Sequence, residues 1–529
     1  MSSSSQDKIA DAKAGAPRLV VGIVIDQMRW DYLQRFKNRF GEDGFNRLTR
    51  EGFSYQNTFI PYSPSVTAAG HATVYTGAYP ALHGIVGNDW VERSNEKFMY
   101  CTEDDLVIPV GGSIKDGKMS PRNLQATTIG DQLKMATNFK SRVFGVSIKD
   151  RGSILPAGRS ANAAYWFDDS LGGFISSSWY MNNLPQWVQD FNNQKYPAQI
   201  LANGWNTLYP ISTYTASTRD DAEYERNLGA KKKNTFPYSF SPTVANHYDF
   251  RRTPFANTAV LEFSKNLIRQ ENLGRQTVPD MICISLSATD YIGHLFGPDA
   301  VEVEDTYLRL DRDLALFLTN LDSLFGKDYI LFLTADHAAP QTPGYLRSKK
   351  LSAGAMNAYK FKDNLDNYCS TIFNKKGLVR RYSEFQFYID QLLVKEAGLD
   401  VKQVEDSIIN FLLKKEQVLW AFKLRELHRT NLPENVKEMI RRGYHPERSG
   451  DIQIILKPHY SDYLLTGADH GSPYNYDIHI PLLWFGKNVP RGETFRKVFM
   501  TDIAPTVAAM LRIQRPDAAF GDVLQEIVR

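Results

Sequence analysis

The side chains of this chain best suited to chemistry are Asp and His residues that follow short apolar runs along nearly its whole length. Asp26 closes Leu19-Val-Val-Gly-Ile-Val-Ile25. Asp290 and His294 follow Met281-Ile-Cys-Ile-Ser-Leu286, and Asp336 and His337 follow Tyr329-Ile-Leu-Phe-Leu333. His470 stands later, in Ala468-Asp-His-Gly471. Carboxylates and imidazoles together are the donor types of zinc sites with mixed oxygen and nitrogen ligands. The four-residue spacing of Asp290 and His294 puts both on one side of a helical turn, where they could chelate one ion. Each motif alone also reads as a surface or capping feature; their joint occurrence is what points to a two-metal centre.

A nucleophile candidate lies in Ser63-Pro-Ser-Val-Thr67, where a Pro-Ser turn runs into a helix of small residues. Thr67 falls in or near its first turn, and a helix N-terminus favours negative charge. It could stabilise an alkoxide on Thr67 and hold a phosphoryl group nearby, with metal coordination lowering the hydroxyl pKa further. The plainer reading is that Ser65 or Thr67 caps the helix. Lys149 and Arg151 follow the apolar run Val143–Ile148 with one residue between them, so in extended geometry both project to the same side. Two cations there suit the equatorial oxygens of a phosphoryl group, although the pair alone also reads as a solvated turn. Asn88, in Gly84-Ile-Val-Gly-Asn-Asp89, could donate an amide hydrogen bond to the same oxygens or simply serve a turn.

Buried parallel strands read as continuous apolar runs, and open α/β sheets bind ligands beyond the carboxyl ends of their strands. The expected fold is therefore α/β, a central mostly parallel sheet flanked by helices, interrupted by two inserted cap segments. Residues 17–151, 256–340 and 450–529 carry the α/β alternation and form the core; the second of these holds most of the candidate ligands. Residues 152–255, rich in Trp, Tyr, Asn, Gly and Pro, read as an inserted cap, and 341–449 as a second, partly helical insertion. Further strands are expected at Ile452–Leu456 and Ile480–Phe485. Amphipathic helices are expected between Asp299 and Phe325, over Phe385–Leu393 and over Val404–Leu413, and a helix with proline in its first turn over Thr501–Leu511.

Composition sets few limits. With 529 residues, 43% hydrophobic, 23% charged and a net charge of +3, the chain can build a large core and favours no particular partner. The basic runs Lys231–Lys233 and Arg251–Arg252 are too short for a nucleic-acid surface. No run is long enough to span a membrane, and the polar stretch Met1–Ala16 lacks the apolar core of a secretory signal. Cys101, Cys283 and Cys369 permit at most one disulfide; Cys283 reads as a packed core residue.

Taken together, Val24-Ile-Asp-Gln-Met-Arg-Trp-Asp31, Val66-Thr-Ala68, His83-Gly-Ile-Val-Gly-Asn-Asp-Trp90, Ile148-Lys-Asp-Arg-Gly-Ser-Ile-Leu-Pro-Ala157, Thr289-Asp-Tyr-Ile-Gly-His294, Thr334-Ala-Asp-His337 and Arg448-Ser-Gly-Asp-Ile-Gln-Ile454 closely resemble the PafA-type alkaline phosphatases. The resemblance runs from about Arg18 to the C-terminus. It implies two Zn2+ per chain, one bound by Asp290, His294 and His470 and the other by Asp26, Asp336, His337 and the Thr67 oxygen. It further implies Thr67 as the nucleophile, Asn88, Lys149 and Arg151 on the phosphate oxygens, and no magnesium site. Ala338 follows His337 where glycine is commoner in the superfamily. Asp469 precedes His470, which leaves open which of the two coordinates. With six ligands so assigned, His71 reads as a packed or helix-stabilising residue, His83 and His479 as loop supports, and Asp477 as either a partner orienting an imidazole or a loop carboxylate.

The function so implied is alkaline phosphatase activity, hydrolysis of phosphate monoesters through a phosphothreonine. Small phosphate monoesters and inorganic phosphate would be the partners, and a monomer without nucleic acid the expected state. A periplasmic or secreted location follows from the resemblance alone. Two alternatives stand beside it: a phosphodiesterase or nucleotide pyrophosphatase on the same scaffold, and a non-catalytic zinc protein. Lys149 with Arg151 favours monoesters over diesters, and three-ligand metal sets with an open position favour catalysis over bracing.

Overall fold

The structure is a computed structural model that describes residues 15–240 and 247–528. The expectation for the polar start of the chain falls mostly outside those residues, as does a short part of the first expected insertion. Ten strands form one sheet. From one edge their order is Gly492–Phe499, Phe53–Phe59, His479–Gly486, Tyr329–Thr334, Leu19–Ile25, Asp280–Leu286, Val143–Ser147, Ala163–Asp168, Gly173–Ser177 and Pro109–Val110.

The four strands from Tyr329–Thr334 to Val143–Ser147 are mutually parallel and buried along their whole length, which is why their sequences are continuous apolar runs. Their register pairs Val24 with both Thr334 and Ser285, and Ser285 with Ser147, so the four carboxyl ends finish level. The chain leaves each of these ends directly into a candidate site residue: Asp26, Asp336, Lys149, and the helix Ala288–Phe296 that carries Asp290 and His294. Ala163–Asp168 adds a fifth parallel strand; His479–Gly486 on one side and Gly173–Ser177 on the other run antiparallel to both their neighbours, and Phe53–Phe59 pairs in parallel with the edge strand Gly492–Phe499. The helix Val301–Phe325 lays Val303, Tyr307, Leu310, Leu314, Phe317 and Leu321 into the core, the stripe its sequence predicts. The C-terminal helix Ile503–Leu511 has Pro505 in its first turn, after a single 3-10 turn over Met500–Asp502. All three cysteines are buried and free.

Several expectations are corrected. Ala163–Asp168 and Gly173–Ser177, placed in the first insertion, are strands of the central sheet, so residue 152 is not a layer boundary. Ile452–Leu456, expected in the C-terminal core, instead pairs with Gln386–Ile389 and Val418–Lys423 in a separate four-stranded sheet with its own apolar cluster. Phe385–Leu393 is not a helix: Gln386–Ile389 is a strand, hairpinned to Val379–Ser383, and a helix begins only at Gln391. A short apolar cluster fits either period, and here pairing on both sides selects the strand. The helix expected at Val404–Leu413 begins slightly earlier, spanning Val401–Leu413.

The fold also buries two carboxyls without cations beside them. Glu302 lies in the first turn of Val301–Phe325 and accepts a hydrogen bond from the Tyr238 hydroxyl at 2.5 Å; its other oxygen and both oxygens of Glu225 have no hydrogen-bond partner. Burial pushes Glu302 up to about 8. Burial, and then the charge of Glu302, pushes Glu225 up to about 10. Both folded values lie above the unfolded value of roughly 4.3, so the folded chain keeps protons that the unfolded chain has released. That stabilisation is complete below about pH 4 and is lost as pH rises through the folded values. The melting temperature should therefore fall between about pH 6 and about pH 9, and Glu302→Gln should make that fall shallower. A fall of equal size in parent and variant would contradict the assignment.

Candidate active site

The level carboxyl ends of the central strands bring Asp26, Asp290 and Asp336 together, all almost completely buried. The six candidate ligands resolve into two groups whose donor atoms lie within 4.8 Å of one another: Asp290, His294 and His470, and Asp26, Asp336 and His337. His294 Nε2 is 3.1 Å and His470 Nε2 3.7 Å from Asp290 Oδ1. His337 Nε2 is 3.4 Å from Asp26 Oδ1 and 3.5 Å from Asp336 Oδ2. His337 and His470 stack with ring centroids 3.4 Å apart, tying the two groups into one centre.

All three imidazoles are oriented in the same way. Nδ1 of His294 faces the Ala468 carbonyl at 2.8 Å, that of His337 the Ala338 carbonyl at 3.1 Å, and that of His470 the Ser65 carbonyl at 2.9 Å. A carbonyl only accepts, so each Nδ1 carries a proton, and the Nε2 atoms of His337 and His470 turn lone pairs toward the carboxylates; burial opposes charge on His294, but the Asp290 carboxylate beside its Nε2 raises it to about 9. Burial lowers His337 to about 4, and burial with the charges of the other two imidazoles lowers His470 to about 3, so both are neutral bases suited to ligation. Asp26 Oδ1 and Asp336 Oδ2 accept no hydrogen bond. His71 Nδ1 lies 3.2 Å from the latter but faces the Thr67 carbonyl at 2.9 Å, and its Nε2 faces Ser285 Oγ. Buried carboxylate oxygens without donors, opposite unprotonated imidazole nitrogens, form a set that fits divalent metal.

Thr67 is the first residue of the helix Thr67–Thr76; Val66 is the N-cap, and no side chain caps that end. Thr67 Oγ1 lies 3.4 Å from both His337 Nε2 and Lys149 Nζ. The expected extended Lys149-Asp150-Arg151 is instead a helix start: Lys149 is the N-cap of Asp150–Ala157, and the two cations make different contacts. Lys149 Nζ bridges Asp26 Oδ2 at 2.7 Å and Asp290 Oδ2 at 2.6 Å, one carboxylate from each group. Burial opposes its charge, but those two carboxylates more than offset this and raise its pKa. Burial also disfavours the Asp290 carboxylate, and His294 and Lys149 beside it still hold it well below the usual range. Arg151 Nη1 donates to the Tyr100 hydroxyl at 2.9 Å. Asn88 Oδ1 accepts from the Ala68 N–H at 3.1 Å, and its side-chain amide also lies against the Glu384 carboxyl, at the rim beside Thr67.

Residues 20–472 match the family described as type I phosphodiesterase / nucleotide pyrophosphatase. Alkaline phosphatase PhoV of Synechococcus elongatus is 46% identical over 99% of this chain and 95% of its own length. Alkaline phosphatase PafA of Elizabethkingia meningoseptica is 44% identical over 97% of this chain and 94% of its own. The crystal structure of PafA superposes with a TM-score of 0.95, covering 97% of this chain and 99% of that one. The chain belongs to the PafA-type alkaline phosphatases. Its activity is accordingly hydrolysis of phosphate monoesters. A solved PafA variant, substituted at one threonine, one asparagine, one lysine and one arginine, superposes with a TM-score of 0.94 at 43% identity.

Sequence reasoning about this phosphatase missed several contacts. Gln27 donates from Nε2 to Asp290 Oδ1 at 2.8 Å and from its backbone to Asp336 Oδ1 at 3.2 Å, spanning the two groups. It sits next to Asp26 at a φ of 64°, and only its place beside a candidate ligand could have flagged it. Tyr100 holds Arg151, and Tyr291 lies under Lys149 Nζ at 5.0 Å. Asp469 Oδ1 accepts from the His470 N–H, so His470 faces the centre while Asp469 supports its loop. His83 accepts from the Ile85 N–H in its own loop and also contacts Thr73 Oγ1 on the Thr67 helix, whereas His479 is no loop support: it begins a strand, and its Nε2 faces the Gln56 carbonyl on the neighbouring strand. Asp477 bonds Ser472 and holds no imidazole. Gly70 is the close-approach point between the Thr67 helix and the strand-end loop: a Cβ there would lie 2.4 Å from the Asp336 carbonyl oxygen. Gly70→Ala should push the two apart, lowering bound-metal content and turnover by about 10-fold or more, with the fold preserved. Metal analysis and circular dichroism on the same preparation check this.

Proposed function

We propose that the chain hydrolyses phosphate monoesters through a phosphothreonine formed on Thr67 at a two-zinc site. The observation that carries this reading is the position of Thr67 Oγ1, at a helix N-terminus and equidistant from His337 Nε2 and Lys149 Nζ. Asp26, Asp336 and His337 would hold one ion on the Thr67 side, and Asp290, His294 and His470 a second. When bound, such a pair polarises the phosphate ester, lowers the nucleophile's pKa and neutralises charge on the leaving oxygen.

The chain's own groups account for the rest. Thr67 Oγ attacks phosphorus in line, forming a Thr67 O–P bond as the bond to the ester oxygen breaks; water then hydrolyses that bond and releases inorganic phosphate. Lys149, kept charged by Asp26 and Asp290, and Arg151, anchored through Tyr100, present positive charge to the non-bridging oxygens. The anchored Asn88 amide adds a neutral donor. The threonine and asparagine substituted in the PafA variant stand as far apart in its sequence as Thr67 and Asn88 do here, and its lysine and arginine as far apart as Lys149 and Arg151. A cavity of about 540 Å³ opens onto the site between Asn88, Tyr291, His294 and His470, leaving room for a leaving group. A location outside the cytosol is part of the proposal through the family likeness alone.

The family's description also covers diesters, and Lys149 with Arg151 argues against them as preferred substrates: two cations suit a phosphoryl group with three unsubstituted oxygens. Thr67→Ala should abolish turnover while both zinc ions remain bound, and acid quenching of the parent during turnover should trap phosphate on Thr67. Replacing both Lys149 and Arg151 by alanine should cost an aryl phosphate about 100-fold or more in kcat/KM and a bis-aryl phosphate far less. Equal losses for the two esters would remove the basis for the monoester assignment.

A further inference from the structure

The second insertion sends a hairpin, Val379–Ser383 and Gln386–Ile389, down to the rim of the site. Its two turn residues, Glu384 and Phe385, both have left-handed backbone, with φ of 49° and 66°. Such turns match the twist of the flanking strands but are normally built from Asn and Gly, because a bulkier side chain is strained there. A Glu-Phe turn is therefore not explained by turn chemistry, and its contacts show what holds it. Glu384 Oε1 accepts from the backbone N–H of Asn88 at 2.8 Å. The same carboxyl lies against Gly87 so closely that a Cβ at that glycine would stand 2.0 Å from Oε2. The Phe385 ring packs on Gly471, beside His470, where a Cβ would stand 2.8 Å away. Ser383 donates to Asp89 Oδ1 at 2.7 Å, and Arg381 to the same oxygen at 3.1 Å. Four hairpin residues thus grip the segments 87–89 and 470–471, and the central contact falls on the backbone of Asn88, whose side chain is clamped from the other side by the Ala68 N–H.

We infer that Glu384 is a positioning residue: it fixes the backbone of Asn88 and thereby aims the Asn88 amide at phosphoryl oxygens beside Thr67. The inference rests on the reading of Asn88 given above. It also gives the insertion a catalytic consequence, since a segment outside the α/β core sets the geometry of a donor to the reacting group. The Glu384 carboxyl is buried, with Asp89, the backbone and side-chain amides of Asn88, and Arg151 around it.

The test is a double-mutant cycle on the zinc-loaded enzyme, reading kcat/KM for an aryl phosphate and inhibition by inorganic phosphate. Glu384→Ala should lower kcat/KM by about 10- to 100-fold and weaken phosphate inhibition in parallel, with zinc content and melting temperature near those of the parent. Glu384→Gln keeps an oxygen that can accept from the Asn88 N–H and should recover most of the loss. In an Asn88→Ala background the Glu384→Ala effect should shrink to about twofold or less, as expected of residues acting as one unit. A Glu384→Ala loss that persists at full size without Asn88, or no loss at all, overturns the inference. Asn88→Ala without effect on either readout overturns the role given to Asn88 itself, a failure distinguishable from that of the link to Glu384.

Discussion

Three carboxylates buried at the level ends of adjacent parallel strands are the constraint on which the rest of this structure depends. Taking one carboxylate out of water costs on the order of several kcal/mol, and Asp26, Asp290 and Asp336 are taken out together, within reach of one another. The burial of Asp26 and the like charge of Asp336 push the Asp26 pKa up. The surroundings are arranged to answer that repulsion: one lysine bridging two of the three, one glutamine donating to two of the three, and imidazoles whose Nε2 atoms are turned toward the carboxylates by backbone carbonyls. Lys149, and His294 held protonated by Asp290, supply two positive charges against three negative ones. The remaining deficit is what divalent ions would neutralise, so the fold and the metal requirement are one electrostatic problem.

This explains why the core elements look as they do. Parallel strands with matched register are a direct way to place four chain segments at one edge with sub-turn accuracy, and strands buried on both faces must be apolar throughout. The helix Thr67–Thr76 has to approach that edge closely, which requires a residue without a side chain at position 70. The second insertion faces the same edge but shares no sheet register with the core. Its hairpin therefore relies on explicit polar contacts, and accepts strained backbone at Glu384 and Phe385 to make them.

The same distinction decides what could be read from the sequence. Asp26, Asp290, Asp336 and His337 were visible because a strand end is a local feature, marked by the apolar run before it. His294 was visible through its spacing from Asp290. His470 follows no such run, and its pairing with Asp290 and His294 came only from the family likeness. Gln27, Tyr100 and Glu384 act through partners far away in sequence, and no local pattern encodes that. The misread segments fail for related reasons. Phe385–Leu393 fits both periods until its partners Val379–Ser383 and Ile452–Leu456 are in place, and the aromatic-rich Ala163–Asp168 lacks the aliphatic run that announces a central strand. Lys149 and Arg151 were found, but their expected common direction assumed a strand that in fact ends two residues earlier, at Ser147.

That last difference changes the chemical meaning of the pair. Side chains projecting together from a strand would form one clamp for a phosphoryl group. At a helix start they divide the work: Lys149 is locked between the carboxylates of both metal-capable groups and only 3.4 Å from Thr67 Oγ1, whereas Arg151 is tethered by an uncharged phenol. A lysine already paired with two carboxylates is held rigidly and stays charged at alkaline pH, which a solvent-exposed ammonium in high dielectric would not guarantee. Arg151, held by a neutral phenol and only loosely paired with Asp150 at 3.9 Å, keeps more of its charge available to an incoming anion. The monoester reading therefore rests less on two cations side by side than on one cation fixed by the centre and one left open to the substrate.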